Sequence, residues 1–197
     1  PYQIGTVEEL ILFRDSVNAS ETKYNAEGVY VALTADIDLT GIDWNNNIGA
    51  KADNTFDGIF DGKGHTVSNM KAEATVDAYG YICTGLFGAI YGNAVIKNLT
   101  IENATISTGD FTGSSVGVLV GFAYSATGSI ENVTIRGDIK IDAENAYAAG
   151  TIIGYAYYGN SLTIKNCSVE GNEGSAITAN SASSGIIGYS SSNGLTV

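Results

Sequence analysis

Three six-residue phrases recur along the chain: IKNLTI at Ile96–Ile101, IENVTI at Ile130–Ile135 and IKNCSV at Ile164–Val169. Each copy follows the previous one by 34 residues. A second phrase travels with the first at the same interval to within a residue: TGLFG at Thr84–Gly88, GVLVG at Gly117–Gly121, GTIIG at Gly150–Gly154 and SGIIG at Ser184–Gly188. Fixed spacing of this size marks a solenoid, in which each unit buries its apolar face only by stacking on its neighbours.

The pattern inside the phrase decides what the unit is made of. In IENVTI, Ile130 points one way and Glu131 the other; after Asn132 the alternation resumes with Val133 in, Thr134 out and Ile135 in. Period-two alternation means strands, and the interruption means a bend between them. Asn is the non-glycine residue best suited to the left-handed backbone that such a bend uses. The reading is an all-β, right-handed parallel β-helix (solenoid).

In such a stack, equivalent residues lie about 4.8 Å apart. Asn69, Asn98, Asn132 and Asn166 are expected to form one ladder of side-chain amides, Asn69 being taken from a shorter early copy, TVSNM at Thr66–Met70. Asn98-Leu-Thr, Asn132-Val-Thr and Asn166-Cys-Ser match the glycan-acceptor pattern. A ladder Asn followed by one inward and one outward β-former produces the same string, and the structural role is preferred. Cys167 replaces Leu99 and Val133 within the phrase, so it reads as a small core residue; Cys83 belongs to another part of the unit, and two thiols are expected rather than a disulfide.

The ends differ from the middle. Thr6-Val-Glu-Glu9 is a capping box, with Leu10, Phe13 and Val17 following at helical spacing. This predicts a short capping helix, about 6–18, inside an N-terminal cap of residues 1–28; VYVAL and DIDL supply the first strands of a β-helix over 29–197. Val197 aligns with Ile164, so the last repeat reads as truncated. Its C-terminal coil is then expected to expose strand edges and to favour self-association.

These phrases carry a family resemblance. G-x-[LI]-[VIF]-G, a glycine-rich turn and I-[KE]-N-[LVC]-[ST]-[IV] resemble the GLUG repeat of bacterial surface and secreted proteins. FDGIFDGKGHTV at Phe56–Val67 resembles an early coil of pectate-lyase-like β-helices, and ADIDLTGIDW at Ala35–Trp44 resembles the segment before it in gut-bacterial surface proteins. The resemblance implies an extracellular structural or adhesive module on a bacterial cell surface. It also admits a polysaccharide lyase or glycoside hydrolase.

Catalysis needs particular groups. A β-helix hydrolase needs paired carboxylates, and a lyase needs a base, commonly beside Ca²⁺ held by carboxylates. Candidates are Asp53, Asp57 and Asp61, with Asp36 and Asp38, but all lie in turn-forming Asp-Gly-rich stretches. The single histidine, His65, opens a strand. The repeat stays regular throughout, whereas an enzyme breaks it to build a site, so the reading is non-enzymatic, with no catalytic residue, metal or cofactor assigned.

The aromatics offer more. After the glycines come AIY, FAY, YAY and YSS, which stack into two columns, Phe122–Tyr155–Tyr189 and Tyr91–Tyr124–Tyr157. Facing outward they would form a strip able to bind sugar rings; one column could instead pack inward, or both could simply cover a sheet. Leu119 and Val120 are both apolar, so alternation leaves the facing open. A host or bacterial glycan or a surface protein is the expected partner. A formal net charge of −12 opposes nucleic acid and anionic lipid, and no apolar run approaches a membrane span.

Overall fold

The computed structural model describes residues 2–21, 23–50, 54–74, 82–159, 161–192 and 194–197. Parallel strands stack coil upon coil into a β-solenoid with three sheets. Sheet A opens each coil, through Tyr2–Ile4, Tyr30–Leu33, Ile59–Asp61, Val95–Ser107, Ser129–Ala143 and Thr163–Lys165. Ile37–Asp38, Thr66–Glu73, Ser168–Gly171 and Ala176–Ala179 complete the same sheet beyond its bends. Sheet C holds Cys83–Thr84, Ser115–Gly117, Ala148–Gly150 and Ala182–Ser184. Sheet B holds Phe87–Gly92, Val120–Ala126, Ile153–Ala156 and Ile187–Ser190.

Registry follows the repeat. Ile130 pairs with Ile96 on one side and Ile164 on the other; Ile135 lies between Ile101 and Val169. Both columns run on toward the N-terminus through Phe60 and Val31, and through Val67 and Ile37. These side chains are buried except near the last coil, where Val169 is half-buried. Each fully buried side chain of this size contributes about 1.5–3 kcal/mol relative to exposure. Cys167 packs partly buried against the same core, and both cysteines are thiols.

The N-terminal coil is closed by the helix Val7–Asn18. Thr6 is its N-cap, its Oγ1 accepting from Glu9 N at 3.2 Å, while Glu9 Oε2 reaches back to Gly5 N at 2.6 Å. Leu10, Phe13 and Val17 are buried beneath it. The Phe13 ring sits 6.0 Å from Phe56 and 5.9 Å from Phe60, both of which pack on Phe87. This aromatic cluster fills the tube beneath the helix. One strand escapes the sequence reading: Tyr2–Ile4 precedes the helix and pairs with Val31–Leu33. Three residues ahead of a strong helix start leave too short a pattern to read.

The bends of sheet A are held by polar side chains. Asn98, Asn132 and Asn166 have φ near +50°. Asn166 Nδ2 donates to Asn132 Oδ1 at 3.3 Å, Asn132 Nδ2 to Asn98 Oδ1 at 3.0 Å, and Asn98 Nδ2 to Asp61 Oδ1 at 3.0 Å. Every amide donates toward the N-terminus, so the row must finish on a group that only accepts. Asp61 is that group, and it also takes the Tyr30 hydroxyl at 2.6 Å and Lys63 N at 2.9 Å.

Asn69 is not part of this row, contrary to the sequence reading. Strand register sets Ser68 beside Glu102 and Met70 beside Ala104, so Asn69 stacks on Asn103, whose Nδ2 donates to it at 3.2 Å. Asn69 in turn donates to Asp38 Oδ1 at 2.9 Å. In the next coil, Gly137 takes the left-handed bend at φ +85° and Asp138 N donates to Asn103 Oδ1; Asn172 Nδ2 then donates to Asp138 at 3.0 Å. There are thus two ladders, one at each bend, and each ends on an aspartate.

A different constraint shapes the corner between sheets C and B. A Cβ on Gly150 would press on Ile153 O and Gly188 N, and one on Gly154 would lie 2.5 Å from Val116 N. Backbones of successive coils touch there, which is why the glycine phrase recurs. In the last coil Gly185 has nothing within 4 Å. Gly150→Ala is therefore expected to cost about 3 kcal/mol or prevent folding, while Gly185→Ala is near neutral. Denaturant titration of the two variants reads the difference, and equal stability would contradict the corner account.

Burial by itself would raise the Asp61 pKa. Hydrogen bonds from the Tyr30 hydroxyl, the Asn98 amide and Lys63 N, together with the Lys63 charge, outweigh it and lower the value to about 2. A depressed carboxylate pKa contributes stability above the unfolded value, and that stability is lost as pH falls through the folded one. Asp61→Asn should thus cost about 2 kcal/mol at neutral pH. The gap from the parent should close between pH 4 and pH 2, and an undiminished gap at pH 2 would remove Asp61 as the charged end of the ladder.

Candidate functional site

Sheet B carries both predicted aromatic columns, and both face outward. Val120 and Ala123 point into the core, as do Ile153 and Ala156 below them, which leaves Phe122, Tyr124, Tyr155 and Tyr157 on the surface. The facing was illegible in the sequence because Val118, Leu119 and Val120 are all buried. The chain turns a corner there between Gly117 and Gly121, and alternation begins only after it.

The two columns differ in geometry. Tyr91, Tyr124 and Tyr157 stack along the solenoid axis at 5.9 Å between successive centroids, with interplanar angles of 28° and 25°. Rings stacked in this way cover one another's faces, so solvent meets their edges and hydroxyls. In the other column, Tyr155 meets Phe122 at 65° and Tyr189 at 62°, with centroids 5.6 and 5.2 Å apart. The columns interlock: Phe122 lies 6.3 Å from Tyr124, and Tyr155 lies 5.6 Å from Tyr157. Tyr91, Tyr124, Tyr157 and Tyr189 remain between 38% and 44% exposed, a contiguous surface rather than scattered rings.

A seventh ring joins from the side of sheet C. Tyr147 stands 5.3 Å from both Tyr155 and Tyr189, and its hydrogen bond with Tyr189 raises its pKa. Sequence reasoning missed it, since its neighbours in adjacent coils are Ser114 and Ser181 and no repeat announces it. Tyr155 Oη lies 3.3 Å from Ser191 Oγ, a hydroxyl pair at the rim.

Three of the candidate acids, Asp36, Asp38 and Asp61, are occupied elsewhere. Asp36 Oδ1 accepts from Thr66 N at 2.9 Å and lies 3.2 Å from His65 Nδ1, so His65 meets a carboxylate at a strand start. Asp38 is held below the usual carboxylate range by the Asn69 amide and by the Thr40 hydroxyl and N–H. Asp61 ends the first ladder. Asp57 stands at the other end of strand Ile59–Asp61, under Gly92; burial raises its pKa, and its Oδ1 has no hydrogen-bond partner. Asp53 lies outside the described residues. A shallow cleft at the second bend of sheet A gathers Lys71, Lys140 and Asp138, a single carboxylate that already accepts from Asn172. Among the described residues no three His, Cys, Asp or Glu side chains are placed to share a metal ion, and no helix is long and apolar enough to cross a membrane.

No family model matches the chain, so the GLUG resemblance stands on the repeated residues alone. A crystal structure from Bacteroides ovatus, provisionally described as an immunoglobulin A1 protease, aligns with 99% of this chain and 74% of that chain at 20% identity and a TM-score of 0.46. Over 148 residues, 71% of this chain, the sequence is 32% identical to halomucin of Haloquadratum walsbyi (strain DSM 16790 / HBSQ001). The chain spans about 1% of the length of that relative.

Proposed function

We propose that the chain is a non-enzymatic structural and adhesive module of an extracellular cell-surface protein, and that it binds glycan through the aromatic face of sheet B. In this reading residues 1–28 form the N-terminal cap and 29–197 the solenoid that carries the face. The observation that carries the proposal is the outward strip of Tyr91, Phe122, Tyr124, Tyr155, Tyr157 and Tyr189, locked ring to ring across four coils. Side chains already immobilised by their neighbours lose little conformational freedom when a ligand arrives. Tyrosine adds a polar end to an apolar ring, which suits a surface of C–H groups and hydroxyls.

The match to halomucin supports the surface location. The solenoid itself supports the structural role, because each coil rests on the next and the array extends as a rigid rod. Three of the five candidate carboxylates, Asp36, Asp38 and Asp61, are taken up by the ladders and turns described above, which supports the non-enzymatic reading.

Tyr124→Ala/Tyr157→Ala removes two of the three rings of the axial stack and nothing from the core. The double variant should lose more than about tenfold in affinity for whichever polysaccharide the parent retains in affinity electrophoresis, since each aromatic contact is worth roughly 0.5–1.5 kcal/mol. Unaltered retention by a folded double variant would show that the strip is not the binding face.

A further inference from the structure

The charge on this molecule is segregated by face. Beyond residue 82, every Asp, Glu, Lys and Arg falls within 97–110, 131–144 or 165–173. Those stretches are the long strands of sheet A and the loops that leave them. The stretches 82–96, 111–130, 145–164 and 174–197 contain no charged residue at all. They supply all of sheets B and C, and therefore every ring of the aromatic strip. Among the described residues, two charged groups meet the N-terminal end of sheet B: Asp57 under Gly92, and Glu27, whose Oε1 accepts from Asn93 Nδ2 at 2.7 Å. Both are carboxylates.

From this we infer that the strip takes an uncharged polysaccharide, an inference that rests on reading the strip as a glycan site. A uronate, sialate or sulfate would be pressed against rings and hydroxyls, and the stretches that build sheets B and C hold no guanidinium or ammonium to pair with it, which leaves a partly desolvated anion uncompensated. The formal net charge of −12 adds long-range repulsion. A cationic polymer would gain from the ring faces, but the Tyr91–Tyr124–Tyr157 stack turns those faces on one another, and sheets B and C supply no carboxylate to pair with an ammonium. What the face does offer is tyrosine hydroxyls repeated coil after coil, with the Ser191 hydroxyl 3.3 Å from that of Tyr155 at the rim. A neutral chain of C–H patches and hydroxyls lying along the solenoid axis matches that chemistry.

The test is affinity electrophoresis of the intact chain and of Tyr124→Ala/Tyr157→Ala in three sets of gels. The neutral set holds glucan, mannan, galactan and xylan; the anionic set holds polygalacturonate and hyaluronate; the third holds chitosan. The inference expects retention by at least one neutral polymer, changing less than about twofold from low salt to about 1 M, and lost more than about tenfold in the double variant. Retention only by charged polymers, abolished by salt and by the double variant, overturns the inference while leaving the strip as a glycan site. Retention by none of the polymers, or retention that the double variant leaves intact, overturns the glycan-site reading and this inference with it.

Discussion

The structure depends on one repeated constraint: a strand must bend without losing the hydrogen bonds that tie it to the coils on either side. A left-handed residue makes the bend, and its side chain must then be satisfied. Asn makes the bend at 98, 132 and 166; each amide donates to the coil before, and the oxygens of Asn98 and Asn132 accept from the coil after. A row of such amides has a direction, and a directed row needs an end that accepts without donating. Asp61 and Asp38 occupy those ends, which explains why carboxylates stand at the N-terminal side of both ladders.

Once the bends are fixed, the division of labour among the sheets follows. The long strands of sheet A alternate between core and solvent on either side of their bends and carry the charges, with Asp61, Lys97, Glu131 and Lys165 alternating in sign down one column. Opposite charges at adjacent positions in the sheet reinforce register by a few tenths of a kcal/mol each. At the corner between sheets C and B, backbones meet within van der Waals limits at Gly117, Gly121, Gly150 and Gly154, which leaves no room there for any side chain. Sheet B carries no charged residue and fills its outer surface with rings. The aromatic face is therefore a product of the same in-register stacking that builds the core: equal residues at equal places must lie on one another, whether Ile inside or Tyr outside.

How much of this was legible depended on whether the repeat kept its wording. Asn98, Asn132 and Asn166 share one phrase, and the fold class, the inner columns and the capping helix could all be read from such regularities. The second ladder changes chemistry at each coil, from Asn69 and Asn103 to the pair Gly137–Asp138, with an extra residue that shifts the register between Arg136 and Ile139. Assigning Asn69 to the first ladder sacrificed the interval, since it lies 34 residues from Asn103 but only 29 from Asn98. IENATI at Ile101–Ile106, nearly a copy of IENVTI, was the overlooked signal. The orientation of the tyrosines depended on a corner where three successive residues turn inward, and Tyr147 on a contact between sheets; a linear pattern holds neither.

The central claim is that the coils are equivalent units whose faces match at a 34-residue interval. Its most direct test is removal of one whole coil, residues 129–162, which joins Gly128 to Thr163 and brings Asn166 onto Asn98. Thermal unfolding of that variant, followed by circular dichroism, should show a β-rich protein with a single cooperative transition at a somewhat lower midpoint, as expected when one nearest-neighbour interface is lost. A chain that shows no cooperative transition would mean that the coils do not match face to face, and the account of the ladders and the aromatic strip would fail with them.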